Sequence, residues 1–147
     1  MRVVVAPVSE FPPGERRIVQ AGSRSIGVFR VGDRFYGIRN RCPHQGGPLC
    51  RGHLLADATA DAPGSPRILT NPLRIACPWH GWEYDLETGQ SFMGAAQAGV
   101  RSYGVALQAG AQLLAEIEAG ETELRPGPYV AETFEVHVQD DYVVLEA

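Results

Sequence analysis

Two closely spaced Cys/His pairs restrict this chain more than anything else in it. The first, Cys42-x-His44, lies in "NRCPHQGGPLCRG" (residues 40–52), and the second, Cys77-x-x-His80, lies in "ACPWHGWEYD" (residues 76–85). The first segment is too rich in Gly and Pro for helix or regular strand, so its backbone amides lack ladder partners and need something to organise around. A Cys and a His one or two residues apart cannot both turn into a core, but on a tight loop they can converge on a metal. Two thiolates and two imidazoles make a four-ligand set for one metal centre. Any fold must therefore bring together two loops that residues 45–76 separate.

The rest of the chain reads as all-β, with short apolar or alternating runs punctuated by turn residues. Val3–Val5, Arg16–Ala21, Ser25–Val31 and Phe35–Ile38 are expected strands, the last two joined as a hairpin through Gly32 and Asp33. Glu83–Asp85 and Gln90–Phe92 form a second expected hairpin across Glu87, Thr88 and Gly89. A third joins Phe134–Gln139 to Tyr142–Leu145 through Asp140 and Asp141. Only Ala111–Ala119 has helical composition, and its sequence fits an extended excursion equally well. Leu54–Arg67 and Glu118–Pro128 read as loop insertions. No repeat or linker divides the 147 residues, so one domain is expected over 1–147, with ligand loops at about 40–53 and 76–85.

Charge and composition exclude several roles. Thirteen basic against seventeen acidic residues, net −4, leave no basic surface for a phosphate backbone, so nucleic acid is not an expected partner. No run of 18 apolar residues is present, so no membrane span is expected. The first seventeen residues fit neither a signal nor a transit peptide, and Arg16-Arg17 lacks the following hydrophobic stretch of a twin-arginine signal. The expected compartment is the cytoplasm, where thiols stay reduced and three cysteines are metal ligands before they are disulfides.

With Pro behind each cysteine, "CPH" and "CPWHGW" resemble the Rieske family, as do the flanking "HQGGPL" and "HGWEYDLETG". That family holds one iron of a 2Fe-2S cluster with two cysteines and the other with two histidines. The resemblance implies an antiparallel β-sheet scaffold and a cluster-binding subdomain formed by two loops. It implies one 2Fe-2S cluster per chain, with Cys42 and Cys77 on the first iron and His44 and His80 on the second. Structural zinc is the alternative, because tetrahedral Cys2His2 sites use the same residue types, although zinc fingers usually group like ligands beside a helix. Cys50 is expected to be a buried free thiol, His53 a loop residue and His137 a strand-face residue. Trp79, Trp82 and Tyr84 are expected to wall the site from solvent, and Tyr84 is a candidate donor to a ligand sulfur.

Membrane-linked, quinol-oxidising Rieske proteins carry an additional cysteine in each ligand loop, joined as a disulfide, and a serine after the Gly that follows the second histidine. Here Trp79 and Trp82 stand at those positions. The chain is more similar to Rieske ferredoxins and the Rieske domains of oxygenases. The implied function is single-electron transfer between a reductase and a terminal oxygenase or other redox enzyme, without a substrate site of its own. The runner-up is a small subunit or regulatory module of a larger redox enzyme, as in nitrite reductases.

Overall fold

Each hairpin expected from the sequence forms, and together they set the architecture. The computed structural model describes residues 1–60, 64, 66–92 and 126–147. Among these are eleven strands: β1 Arg2–Pro7, β2 Arg16–Ala21, β3 Arg24–Val31, β4 Arg34–Arg39, β5 Leu54–Ala60, β6 Pro66–Ala76, β7 Glu83–Asp85, β8 Gln90–Phe92, β9 Pro126–Val130, β10 Thr133–Gln139 and β11 Tyr142–Glu146. One antiparallel sheet runs β1-β11-β10-β4-β3-β2, and the second runs β5-β6-β7-β8-β9.

Turn chemistry fixes the registers. Asp140 and Asp141 both adopt left-handed φ (50° and 65°), as the two-residue turn between Gln139 and its partner Tyr142 demands. In the β7–β8 turn the Asp85 Oδ1 accepts the N–H of Glu87 (2.8 Å) and of Thr88 (3.0 Å), so a short polar side chain replaces missing ladder bonds.

Period-two alternation in β3 and β4 divides the interior. Ile26 and Val28 enter a cluster with Ala6, Phe11, Ala21, Val143 and Leu145, against which Phe35 packs. Phe29 and Ile38 face the other way and join Leu49, Cys50, Ile75, Trp82, Tyr84 and Leu86 around the two cysteines Cys42 and Cys77. This second cluster lies at the junction of the sheets, and both Cys/His loops rise from it.

Two expectations need correction. Leu54–Arg67 is no loop insertion: Leu54–Ala60 is β5, and Arg67 lies in β6, the two strands pairing from Leu54↔Ile75 to Ala60↔Pro66. The hairpin is held by main-chain ladder bonds that the Ala-, Asp- and Pro-rich sequence does not announce. The end of Glu118–Pro128 is likewise strand, since Pro126–Pro128 opens β9; residues 118–125 and the helical reading of Ala111–Ala119 lie outside the described residues.

Candidate metal centre

The two Cys/His loops have the same backbone bracing although their histidines are spaced differently. In the first, the Cys42 N–H donates to the Gly47 carbonyl (2.8 Å), and the Gly46 N–H donates back to the Cys42 carbonyl (2.7 Å). In the second, the Cys77 N–H donates to the Trp82 carbonyl (2.8 Å), and the Gly81 N–H donates to the Cys77 carbonyl (2.9 Å). Gly46 and Gly81 hold φ of 82° and 76°, a conformation that a side chain would strain. Each loop is thus a closed turn anchored at its own cysteine.

Neighbouring strands clamp these turns together. Asn40, at the end of β4, accepts the Cys50 N–H on its Oδ1 (2.8 Å) and so closes the base of the first loop. Arg16 of β2 donates to the carbonyls of Cys50 and Gly52, tying the far side of that loop to the first sheet. Gly52 then packs directly on the Ala76 carbonyl, where a Cβ would stand 1.7 Å from the oxygen, so only glycine lets the loops approach. The Ala76 N–H donates to the His53 carbonyl at the same seam (2.9 Å).

The side chains separate by chemistry. Cys42 and Cys77 are buried, whereas His44 is half-buried and His80 exposed. The two imidazoles meet edge to face with ring centroids 5.0 Å apart. Trp82 (5.7 Å) and Tyr129 of β9 (5.5 Å) pack against the His44 ring and against each other (5.1 Å). His44 Nδ1 is buried and meets no hydrogen-bond partner among the described residues, a cost that a ligand bond would remove. Two buried sulfurs beneath two ring nitrogens therefore form a graded donor set, soft inside and imidazole at the tip.

Hydrogen bonds and burial tune the sulfurs. The Tyr84 hydroxyl lies 3.0 Å from Cys42 Sγ, and burial, reinforced by that neighbouring sulfur, pushes the phenol well above its ordinary range, so it stays a donor. Burial likewise raises the Cys77 thiol; the Trp79 and His80 amides that hydrogen-bond its sulfur oppose this, while the nearby Cys42 adds to it. A lone thiolate is disfavoured in such a place, and a metal cation is what makes it affordable. Cys50 is different: fully buried against Gly27, it donates to the Ile38 carbonyl (3.4 Å), and burial pushes its thiol up to about 12.

The remaining expected residues fall as follows. Trp82 and Tyr84 are buried; Trp79 is 57% exposed, and its indole stands over Gly47 beside Cys77 Sγ, where a Cβ on that glycine would meet both. His53 is exposed, and His137 sits on β10 between Glu135 (3.7 Å) and Glu146 (3.8 Å). Sequence reasoning missed Tyr129 and Asn40; nothing short of the fold marks the first, while the second stands two residues before Cys42.

The Rieske [2Fe-2S] domain family model matches residues 1–104. The chain belongs to the Rieske family. Membership brings one 2Fe-2S cluster, and the residues of this Rieske chain fit it through their Cys2His2 donors and the orphaned His44 Nδ1. The chain is 29% identical over 109 residues to the 3-phenylpropionate/cinnamic acid dioxygenase ferredoxin subunit of Escherichia coli strain K12, covering 74% of this chain and 88% of that protein. Its fold is similar to the ferredoxin of carbazole 1,9a-dioxygenase from Nocardioides aromaticivorans IC177 (TM-score 0.60, 18% identity, 98% of this chain and 95% of that one). It also resembles a chain in the complex of reduced oxygenase and oxidised ferredoxin in carbazole 1,9a-dioxygenase (TM-score 0.56, 22% identity, 98% and 91% covered). Among the described residues, no helix is long and apolar enough to cross a membrane.

Proposed function

We propose that Cys42 and Cys77 hold one iron of the cluster and His44 and His80 the other, in a single domain spanning residues 1–147 that carries electrons. The observation that carries this reading is the matched bracing of the two loops, which buries the cysteine pair and brings the imidazoles to 5.0 Å at the tip. The bound cluster supplies reversible uptake and release of one electron. Cys42 and Cys77 keep that charge out of water, the Tyr84 hydroxyl and the Trp79 and His80 amides stabilise negative sulfur, and exposed His80 offers a short exit to a partner.

The ferredoxin subunit among its relatives and the oxygenase complex among its structural neighbours support a place between a reductase and a terminal oxygenase, in the cytoplasm. Electron paramagnetic resonance, visible absorption and iron analysis of the purified protein test the reading. A Rieske-type spectrum is expected, lost on His44→Ala or His80→Ala and kept on Cys50→Ser. Bleaching by Cys50→Ser, or a colourless zinc-loaded protein, would overturn the ligand set.

A further inference from the structure

Two large side chains lie over adjacent glycines of the first ligand loop. Gly46 and Gly47 lie side by side in the first loop; a Cβ on Gly46 would stand 3.3 Å from the Arg41 guanidinium carbon, and one on Gly47 2.8 and 2.9 Å from the indole of Trp79. Arg41 thus lies over Gly46, and Trp79, from the other ligand loop, lies over Gly47 beside Cys77 Sγ, which a Cβ there would meet at 3.0 Å. Both are exposed, Trp79 by 57%, and its ring also meets His80 edge to face at 6.4 Å. A tryptophan left more than half in water beside a ligand histidine is the composition of an interface centre rather than of a surface.

The charge around this seat runs against the rest of the chain. Residues 40–53 and 76–82 contain Arg41 and Arg51 and no Asp or Glu, although the whole chain carries net −4. Arg51 is exposed and directly precedes Gly52, which rests on the Ala76 carbonyl beside Cys77. Glu83, the first acid after the second loop, is buried and paired with Arg74 (2.9 Å), so its charge is internally compensated. The two ligand loops are therefore basic and aromatic in an otherwise acidic chain.

We propose that Trp79 and Arg41, seated on Gly46 and Gly47, form the docking contact for a protein partner whose redox face is acidic around an apolar centre. This rests on the electron-carrier reading above and specifies the partner's chemistry. Trp79 supplies buried apolar area on docking, and the arginines orient the encounter, since local charge at the contact steers association more than distant net charge does.

Electron transfer to small oxidants of known charge tests the face on the intact protein. The dithionite-reduced protein gives one electron to tris(oxalato)cobaltate(III), a trianion, reducing it to cobalt(II) with no proton or bond transferred within the protein. Its rate is expected to fall about tenfold as salt rises from about 10 to about 200 mM, because screening removes a local attraction. Tris(phenanthroline)cobalt(III), a trication, is expected to respond in the opposite direction. Arg41→Glu should flatten or invert the trianion's salt response, with Arg41→Gln, which removes the charge without reversing it, giving an intermediate slope; a visible spectrum like the parent's shows that the site is intact.

Trp79→Ser should lower, severalfold, the rate ratio of an aromatic trianion, tris(bathophenanthrolinedisulfonate)cobaltate(III), to the oxalate complex. A trianion rate that rises with salt, a slope indifferent to both Arg41 variants, or an unchanged rate ratio in Trp79→Ser would overturn the docking face. If neither trianion nor trication oxidises the protein, the electron-carrier reading fails first and takes the docking face with it.

Discussion

Replacing Tyr84 by Phe isolates one hydrogen bond to a ligand sulfur. The hydroxyl is 3.0 Å from Cys42 Sγ, the residue is fully buried, and the ring is held by the cluster of Phe29, Ile75 and Leu86, so Phe occupies the same space and removes one polar atom. Reduction concentrates negative charge on the sulfurs, and a donor aimed at one of them stabilises the reduced state more than the oxidised. A neutral donor in a buried place contributes about 1 kcal/mol to that difference. At about 59 mV for a tenfold change in a one-electron equilibrium, or about 1.4 kcal/mol, the potential should fall by roughly 40 mV. Protein-film voltammetry of both proteins at pH 7 measures it. An unchanged or raised potential would refute the reasoning, because it would mean that the hydroxyl does not donate to the sulfur in the loaded protein. The parent itself should lie toward the low end of the Rieske range of roughly −150 to +300 mV, since Trp82 puts an apolar ring where a serine hydroxyl stands in the quinol-oxidising proteins.

Gly52→Ala drives a Cβ to 1.7 Å from the Ala76 carbonyl and should cost about 3 kcal/mol or more, read as a lowered thermal midpoint with reduced iron content. Cys50 gives a pH signature. Its folded-state thiol is raised by burial to about 12, above the ordinary 9.0, so the unfolded chain releases a proton that the folded chain retains between those values. Stability should be fully present below pH 9 and then fall by about 1.4 kcal/mol per pH unit up to pH 12, and denaturant melts of Cys50→Ala should lack that component.

The ligand pairs were legible because their chemistry is local: Cys42-x-His44 and Cys77-x-x-His80 announce themselves by spacing. The β3–β4 and β10–β11 hairpins were legible for the same reason, since Gly32 and the Asp140–Asp141 pair sit where left-handed φ is required. What sequence did not reveal is what depends on distant partners. Strands β5, β6 and β9 lack clean alternation and exist through their neighbours' ladder bonds. Tyr129 reaches the His44 ring across more than eighty positions of chain, a contact set by sheet order and not by any local pattern. The place of the Trp79 indole, over Gly47 and beside Cys77 Sγ, likewise depends on how the two loops meet.

The closed turns at Cys42 and Cys77 also bear on how the site answers a change of charge. Each loop satisfies its own cysteine N–H and carbonyl through Gly47 and Gly46, or Trp82 and Gly81, and the Gly52–Ala76 seam joins the two. Main-chain bonds therefore fix where both sulfurs stand, and donors held in this way need little rearrangement when the charge beside them changes.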